Sequence, residues 1–413
     1  MVKHMKKLLI CILLIIGMMI PVYADDIEFE SDYYLLIDPD NQQILMQQGA
    51  DELIYPASMT KMMTLIIALE NVENHEEMLT LDREVFKGLY EANASLAGFS
   101  YNEQVSIKDC LYGLFLPSGA EGTRALAIKT AGSEEEFVNL MNQKAKELGM
   151  KDTHFVNTTG LHHKDHVTTL NDLLKLMQYC LNNKDFYEIF TTREYIAISG
   201  TKHKELKMNS TLFKRLSKED AQWILGGKTG YTNPAGLCLA SMASKDGRNL
   251  ILITAHAPVS TTPYHLHDAV HAYNHVYEKM HKISLCDLDD EIIEVDVQFT
   301  LPETTTLLYP ESSPQLTFPN EITQEDLTVE ITLNESIVAP LNPNDVLGQM
   351  DIYQHGVLLD TVNLITHDTI ELSKLSVFLY DAERFIQTYW KAGCIGLFAL
   401  TGLLVIRKRK SGK

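Results

Sequence analysis

The feature that most limits what this chain can become is a pair of apolar runs at its two ends, each flanked by basic residues. Residues Met1 to Ala24 open with Lys3, Lys6 and Lys7, run apolar from Leu8 to Val22, and close on Val22-Tyr23-Ala24 before Asp25-Asp26. Basic, apolar, then small before an acidic start is the layout of a secretory signal peptide cleaved after Ala24; an uncleaved N-terminal anchor is the alternative. From Trp390 to Ile406 the chain is again almost entirely apolar, and the basic tail 407–413 follows, beginning Arg407-Lys408-Arg409-Lys410. Seventeen residues of helix cover roughly 25 Å, the short end of what spans a bilayer. Tyr389 and Trp390 stand where interfacial aromatics would, and the tail marks the cytoplasmic side. Before the span, the linker 375–389 mixes apolar and charged residues as an amphipathic helix on a membrane surface does. The ends therefore predict a body held outside the cell membrane by a single-pass C-terminal anchor.

That body, 25–389, is long enough for two domains with separate cores. All 55 acidic residues of the chain fall within it, against 26 of the 35 basic ones, so it carries a charge of about −29. Phosphate backbones would be repelled, which excludes nucleic acid as a partner. Cys110, Cys180, Cys238 and Cys286 show no close pairing and no C-x-x-C, and read as buried free thiols.

Short apolar runs at Tyr34 to Ile37 and Gln43 to Gln47, around Asp38-Pro39-Asp40-Asn41, predict a hairpin. A helix is expected from near Ser58, carrying Met62, Met63, Leu65, Ile66 and Leu69, and the stretch from Glu77 to Leu181 reads as mostly helical. Three strands follow at Trp223 to Thr232, Gly236 to Ser244 and Asn249 to His256, the last two joined by Lys245-Asp246-Gly247-Arg248. Pro263 to Met280 reads as a closing helix. Strands at both ends with helices between predict an α+β domain over 25–283, one antiparallel sheet with its helices segregated. After Ser284 alternating runs at Ile292 to Phe299, Leu327 to Leu333 and Val357 to Leu364 predict a smaller all-β domain over 284–374.

Three stretches carry chemistry. In Pro56-Ala57-Ser58-Met59-Thr60-Lys61, a helix opened by Ser58 puts Lys61 on the same face one turn on. A helix N-terminus favours negative charge near the serine oxygen, and a desolvated lysine beside a second cation can act as a base. Taken alone, the pattern is equally an N-cap serine with a surface lysine. Gly227-Lys228-Thr229-Gly230-Tyr231 lies on an expected strand, where Lys228 and Thr229 could meet a carboxylate and the glycines would let backbone approach closely. In Leu116-Pro117-Ser118-Gly119-Ala120-Glu121, the Ser118 hydroxyl could pass a proton, although an ordinary turn explains the piece by itself. In combination and in this order they are far rarer than singly.

Together they resemble the S-x-x-K, S-x-N and K-T-G motifs of the penicillin-recognising serine enzymes. Tyr55 to Thr64, Ala94 to Ala127, Phe155 to Leu173 and Gly226 to Ala240 look like low-molecular-weight D-alanyl-D-alanine carboxypeptidases, which also end in a β-rich domain and a membrane-binding segment. The resemblance implies a β-lactamase/transpeptidase-like fold and removal of the terminal D-alanine from peptidoglycan stem pentapeptides, with β-lactams acylating the same serine. It implies Ser58 as nucleophile, Lys61 as base and Ser118 as proton relay. Lys228 and Thr229 would hold the substrate carboxylate, with Gly230 on the same strand, and the Ser58 and Tyr231 amides would form the oxyanion hole. No metal or other cofactor is implied.

Two departures stand out. The middle motif ends in Ala120 where the family has asparagine, and the arginine that members often carry just past the third strand has no counterpart in Pro258 to Asp268. The missing amide implies reduced activity, unless Glu121 or a water compensates. A D,D-endopeptidase on the same fold, or a non-catalytic β-lactam- or wall-binding protein, are the alternatives. His267, His271 and His275 recur every four residues, a spacing that can chelate zinc, but no nearby glutamate completes an H-E-x-x-H and the helix that carries them reads as a sheet-packing element. His166, in the His162-His163-His166 cluster, is expected to make a structural hydrogen bond.

Overall fold

Leu35 and Ile37 point to one side of a strand and Leu36 to the other, and this alternation organises the first part of the molecule. In the computed structural model, which describes residues 27–388 apart from 285 and 386, these residues lie on β1 (Tyr33–Asp38). It pairs with β2 (Gln43–Gln48) and, far along the chain, with β5 (Arg248–Ala257). β4 (Gly236–Lys245) and β3 (Ile224–Thr232) complete an antiparallel sheet of order β2-β1-β5-β4-β3, leaving β3 at an edge. Asp246 and Gly247 both have positive φ, 52° and 80°, the two-residue turn whose twist suits a hairpin.

One face of this sheet, with Ile251, Ile253 and Ala255, is covered by α1 (Lys61–Asn71), α2 (Ile107–Phe115), α3 (Ala120–Ala131), α4 (Glu134–Glu147), α5 (Leu170–Leu181) and α6 (Lys184–Thr191). The other face, with Leu239, Leu250 and Leu252, packs against Leu266, Ala272, Tyr273 and Val276 of α7 (Tyr264–Lys279). A one-residue slip of β1 or β5 would exchange the two cores, so the register is fixed by burial. α1 is apolar on all sides because it runs through the middle of the helical layer, with every residue from Lys61 to Ala68 buried. Truncating one of its core side chains, as in Leu65→Ala, would cost about 2–5 kcal/mol.

The described residues divide into two compact units, 27–282 with Leu316–Ile322, and 283–315 with 323–388. The excursion Leu316–Ile322 has no counterpart in the sequence-based boundary at 283/284. Its Thr317 backbone exchanges hydrogen bonds with the Gln43 side chain at 2.6 and 2.9 Å, and its hydroxyl accepts from Arg248 at 3.1 Å. In the second unit β6 (Ile293–Val297), β7 (Thr304–Pro310), β8 (Leu327–Leu333), β9 (Val346–Gln354) and β10 (Val357–Thr366) form a sheet of order β6-β7-β10-β9-β8. β7 and β9 escaped the sequence reading, as did two four-residue hairpins in the first unit, Met78–Leu81 with Glu103–Ser106 and Glu194–Ala197 with Leu206–Asn209. The four-residue strands of those hairpins leave too few alternations to register as a pattern. All four internal cysteines are free and buried. The chain is helical over 374–385, with Leu375, Phe378, Leu379 and Phe385 exposed. The expected signal peptide (1–24), membrane span (390–406) and basic tail (407–413) lie outside the described residues. Among those described, no helix is long and apolar enough to cross a membrane.

Candidate active site

Ser58 sits one turn earlier than the α-helix proper. Ala57–Thr60 form a 3-10 turn that runs directly into α1 at Lys61, and Ala57 adopts φ 45°, a conformation costly for a residue with a Cβ. In that tight turn residues three apart eclipse, which sets Lys61 beneath Ser58. Ser58 is half-buried while Ala57, Met59, Thr60 and Lys61 are buried, so the hydroxyl alone of this segment faces outward.

Two glycines allow this packing. A Cβ on Gly230 of β3 would lie 3.1 Å from the Ser58 amide nitrogen, and one on Gly160 would lie 1.9 Å from the Ala57 carbonyl oxygen. Gly160 also has φ 81°, so it is fixed by conformation and space together.

Lys61 Nζ is 3.2 Å from Ser58 Oγ and donates to the Thr159 carbonyl at 2.6 Å. Asn157 builds the turn that aims this carbonyl: its Oδ1 accepts from the Thr159 and Gly160 amides, and its Nδ2 donates to the Leu161 carbonyl. Burial pushes the Lys61 ammonium down to about 7, opposed by the negative charge of Glu121. The amine can therefore be neutral near neutral pH.

Lys228 of β3 is fully buried and donates to Ser118 Oγ at 3.1 Å and to its neighbour's carbonyl, Thr229, at 3.0 Å. Burial, and then the charge of Lys61, hold its ammonium well below the usual lysine range. Ser118 is buried with φ 65°, a second left-handed non-glycine residue in the same site. Serine, lysine, serine and lysine thus converge from the 3-10 turn, α1, the entry to α3, and β3. Thr229 Oγ1 meets Thr211 Oγ1 at 2.6 Å, a partner the sequence reading did not single out. Tyr231 is exposed, its hydroxyl donating to Asn233 Oδ1 at 2.6 Å.

Ala120 opens α3 in a buried position, its amide donating to the Ser95 carbonyl at 2.8 Å. Next to it Glu121 is completely buried; Oε1 accepts from the Gly98 and Phe99 amides at 2.9 and 3.3 Å, while Oε2 has no hydrogen-bond partner. Its carboxyl is pushed up by burial, which the surrounding backbone amides oppose.

His166 makes the structural bond expected of it: Nδ1 accepts from the Val156 amide at 3.2 Å, so Nε2 carries the proton toward Thr60 Oγ1, 2.8 Å away. His267 and His271 are exposed on α7, their rings tilted at 48° with centroids 3.8 Å apart, while the helix covers the other face of the sheet. No group of three or more His, Cys, Asp or Glu is gathered for a metal ion among the described residues. Two clefts of about 520 Å³ open away from Ser58, one beside Arg124 and Glu134, the other beside His267 and His271.

A two-sided α/β domain with this constellation defines a serine hydrolase of the penicillin-recognising class. The model of the D-alanyl-D-alanine carboxypeptidase family matches residues 21–259, and that of the penicillin-binding protein 5 C-terminal domain matches residues 289–372. The chain belongs to the D-alanyl-D-alanine carboxypeptidase family of low-molecular-weight penicillin-binding proteins. It is 27% identical to D-alanyl-D-alanine carboxypeptidase DacF of Bacillus subtilis, over 86% of this chain and 92% of that protein. The D-alanyl-D-alanine endopeptidase of Escherichia coli is 29% identical over 57% of this chain and 74% of its own length. Penicillin-binding protein 5 of Haemophilus influenzae shares the fold, with a TM-score of 0.68 at 22% identity over 84% of this chain and 99% of that one.

Proposed function

We propose that this D-alanyl-D-alanine carboxypeptidase uses Ser58 as nucleophile with Lys61 as its base. The observation that carries the assignment is Lys61 Nζ at 3.2 Å from Ser58 Oγ, buried so that its ammonium falls to about 7. In the neutral amine the bond reverses direction, and Lys61 accepts the hydroxyl proton as Ser58 Oγ attacks the carbonyl of the penultimate D-alanine. The new C–O bond forms as the C–N bond to the terminal D-alanine breaks. The proton passes from Lys61 through Ser118 to the departing nitrogen. Water then attacks the ester, returning a proton to Ser58 Oγ and leaving a tetrapeptide carboxylate. A β-lactam forms the same ester by opening its ring.

The substrate's terminal carboxylate meets Lys228 and Thr229. Burial and the charge of Lys61 disfavour the Lys228 ammonium; an arriving carboxylate supplies the counter-charge that favours it. The amides of Ser58, which Gly230 lets β3 approach closely, and of Tyr231 stabilise the oxyanion. The apolar terminal runs and the exposed apolar residues of the helix at 374–385 support export and tethering, the body lying on the outer side of the cell membrane.

Endopeptidase action on cross-links is the second reading. It is the weaker because the endopeptidase likeness spans 57% of this chain, whereas the DacF likeness spans 86%. Incubating the purified full-length chain with a stem pentapeptide and with a cross-linked dimer decides between them. D-Alanine release from the pentapeptide, together with fluorescent-penicillin labelling lost in Ser58→Ala, is the expected result. Labelling without any release would overturn the carboxypeptidase reading in favour of a binding protein.

A further inference from the structure

A threonine hydroxyl has one proton to donate, and its neighbours decide where that proton points. Thr229 follows Lys228 on β3, half-buried, with its Oγ1 2.6 Å from Thr211 Oγ1. Two hydroxyls at that distance are bridged by a single proton, so the other proton is directed elsewhere. Were Thr229 the donor, an arriving carboxylate would meet the lone pairs of its oxygen. With Thr211 as donor, the Thr229 proton is free for that carboxylate, and the bond Thr229 accepts strengthens the one it gives.

Thr211 is held in place from three directions. Its amide donates at 3.0 Å to the carbonyl of Leu116, two residues before Ser118. The neighbouring Ser210 is buried, and its amide donates to the Arg193 carbonyl at 2.9 Å, which ties the segment to the chain after α6. Leu212 on the other side is fully buried against β3, where a Cβ on Gly227 would come 3.0 Å from its Cδ2. The Thr211 side chain itself stays half-buried, like that of Thr229. Pro258 to Asp268 brings no arginine to share the carboxylate, so the hydroxyl on β3 carries more of the recognition.

We propose that Thr211 is a positioning residue for the substrate's terminal carboxylate: its hydroxyl donates to Thr229 Oγ1 and so turns the Thr229 proton toward the substrate. The inference rests on the reading of Thr229 as a carboxylate contact. Thr211 acts through Thr229, so its effect depends on the Thr229 hydroxyl being there.

The test is D-alanine release from a stem pentapeptide by the full-length chain, in wild type, Thr211→Val, Thr229→Val and the double variant. Thr211→Val should lower kcat/KM about fivefold, chiefly through a higher KM, the size of one lost neutral hydrogen bond. In the Thr229→Val background the same substitution should change kcat/KM by less than about twofold, because no hydroxyl remains to be oriented. Thr211→Ser, which keeps the hydroxyl, should recover most of the loss. If Thr211→Val does not fold, Thr211→Ala takes its place in the cycle with the same expectations. Losses that multiply in the double variant, or a Thr211→Val with wild-type kcat/KM, would overturn the proposal. An unchanged kcat/KM in Thr229→Val overturns the reading of Thr229 itself, and this inference with it.

Discussion

The Lys61 amine donates to the Thr159 carbonyl at 2.6 Å, so a loop far along the chain aims the group that must act on Ser58. The loop is in turn shaped by Asn157 and by the close seat of Gly160 under Ala57. The geometry of the nucleophile is therefore set from below, by backbone, and from one side, by β3.

The charge state of Lys61 predicts a pH dependence. The amine accepts a proton only when neutral, so the acylation rate should rise with pH through about 7 and level off above it. Stopped-flow acylation across pH would reveal this; a rate flat through that region rules out Lys61 as the titrating base. Lys61→Ala should lose about 10²–10⁴-fold at any pH.

Gly160→Ala should both destabilise the fold and disable the site. Its φ of 81° and a Cβ placed 1.9 Å from the Ala57 oxygen force the turn bearing Ser58 to move. The conformational part alone costs about 1–3 kcal/mol. Calorimetry should show a lowered Tm, and penicillin labelling should fall more than the loss of folded protein explains.

Ala120→Asn should raise acylation by about ten- to a hundredfold, the worth of one hydrogen bond of about 1.5–3 kcal/mol to a charged or reacting group. Position 120 is buried at the start of α3, so the gain depends on the amide fitting there. Second-order acylation constants for the two proteins check it, and an unchanged or lower constant removes the missing amide as an explanation.

His166 predicts an acid weakness. Burial holds its imidazole down to about 3, whereas the unfolded chain protonates it at about 6.5. The unfolded state therefore binds the extra proton between those values. His166 should lower stability as pH falls from about 6.5 toward 3, by up to about 1.4 kcal/mol per pH unit, and contribute no slope above that window. Urea melts at several pH values should show a shallower acid loss in His166→Gln.

Much of the architecture was legible because it rests on period-two and helical patterns. β3, β4, β5 and α7 lie within two residues of where apolar periodicity and the Asp246-Gly247 turn put them. The chemical residues were legible as types and order. Thr159 was not, because a backbone carbonyl carries no side-chain signature; the Asn157-to-Gly160 turn was its one visible trace. Thr211 was hidden likewise, since a threonine becomes informative only when Thr229 faces it. The helix expected from Ser58 begins instead at Lys61, because Ala57 takes a left-handed φ that a helical pattern cannot announce.

The order of residues alone set the strand and helix periods, the acidic surface and the presence of two lysines with two serines at conspicuous spacings, since each of these is a property of near neighbours or of a sum. Which face each lysine reached, how dry it became and which charge it met were decided by the folded packing. Proton affinity depends on solvent exclusion and on distances between atoms, and those exist only after β3, α1 and α3 have come together.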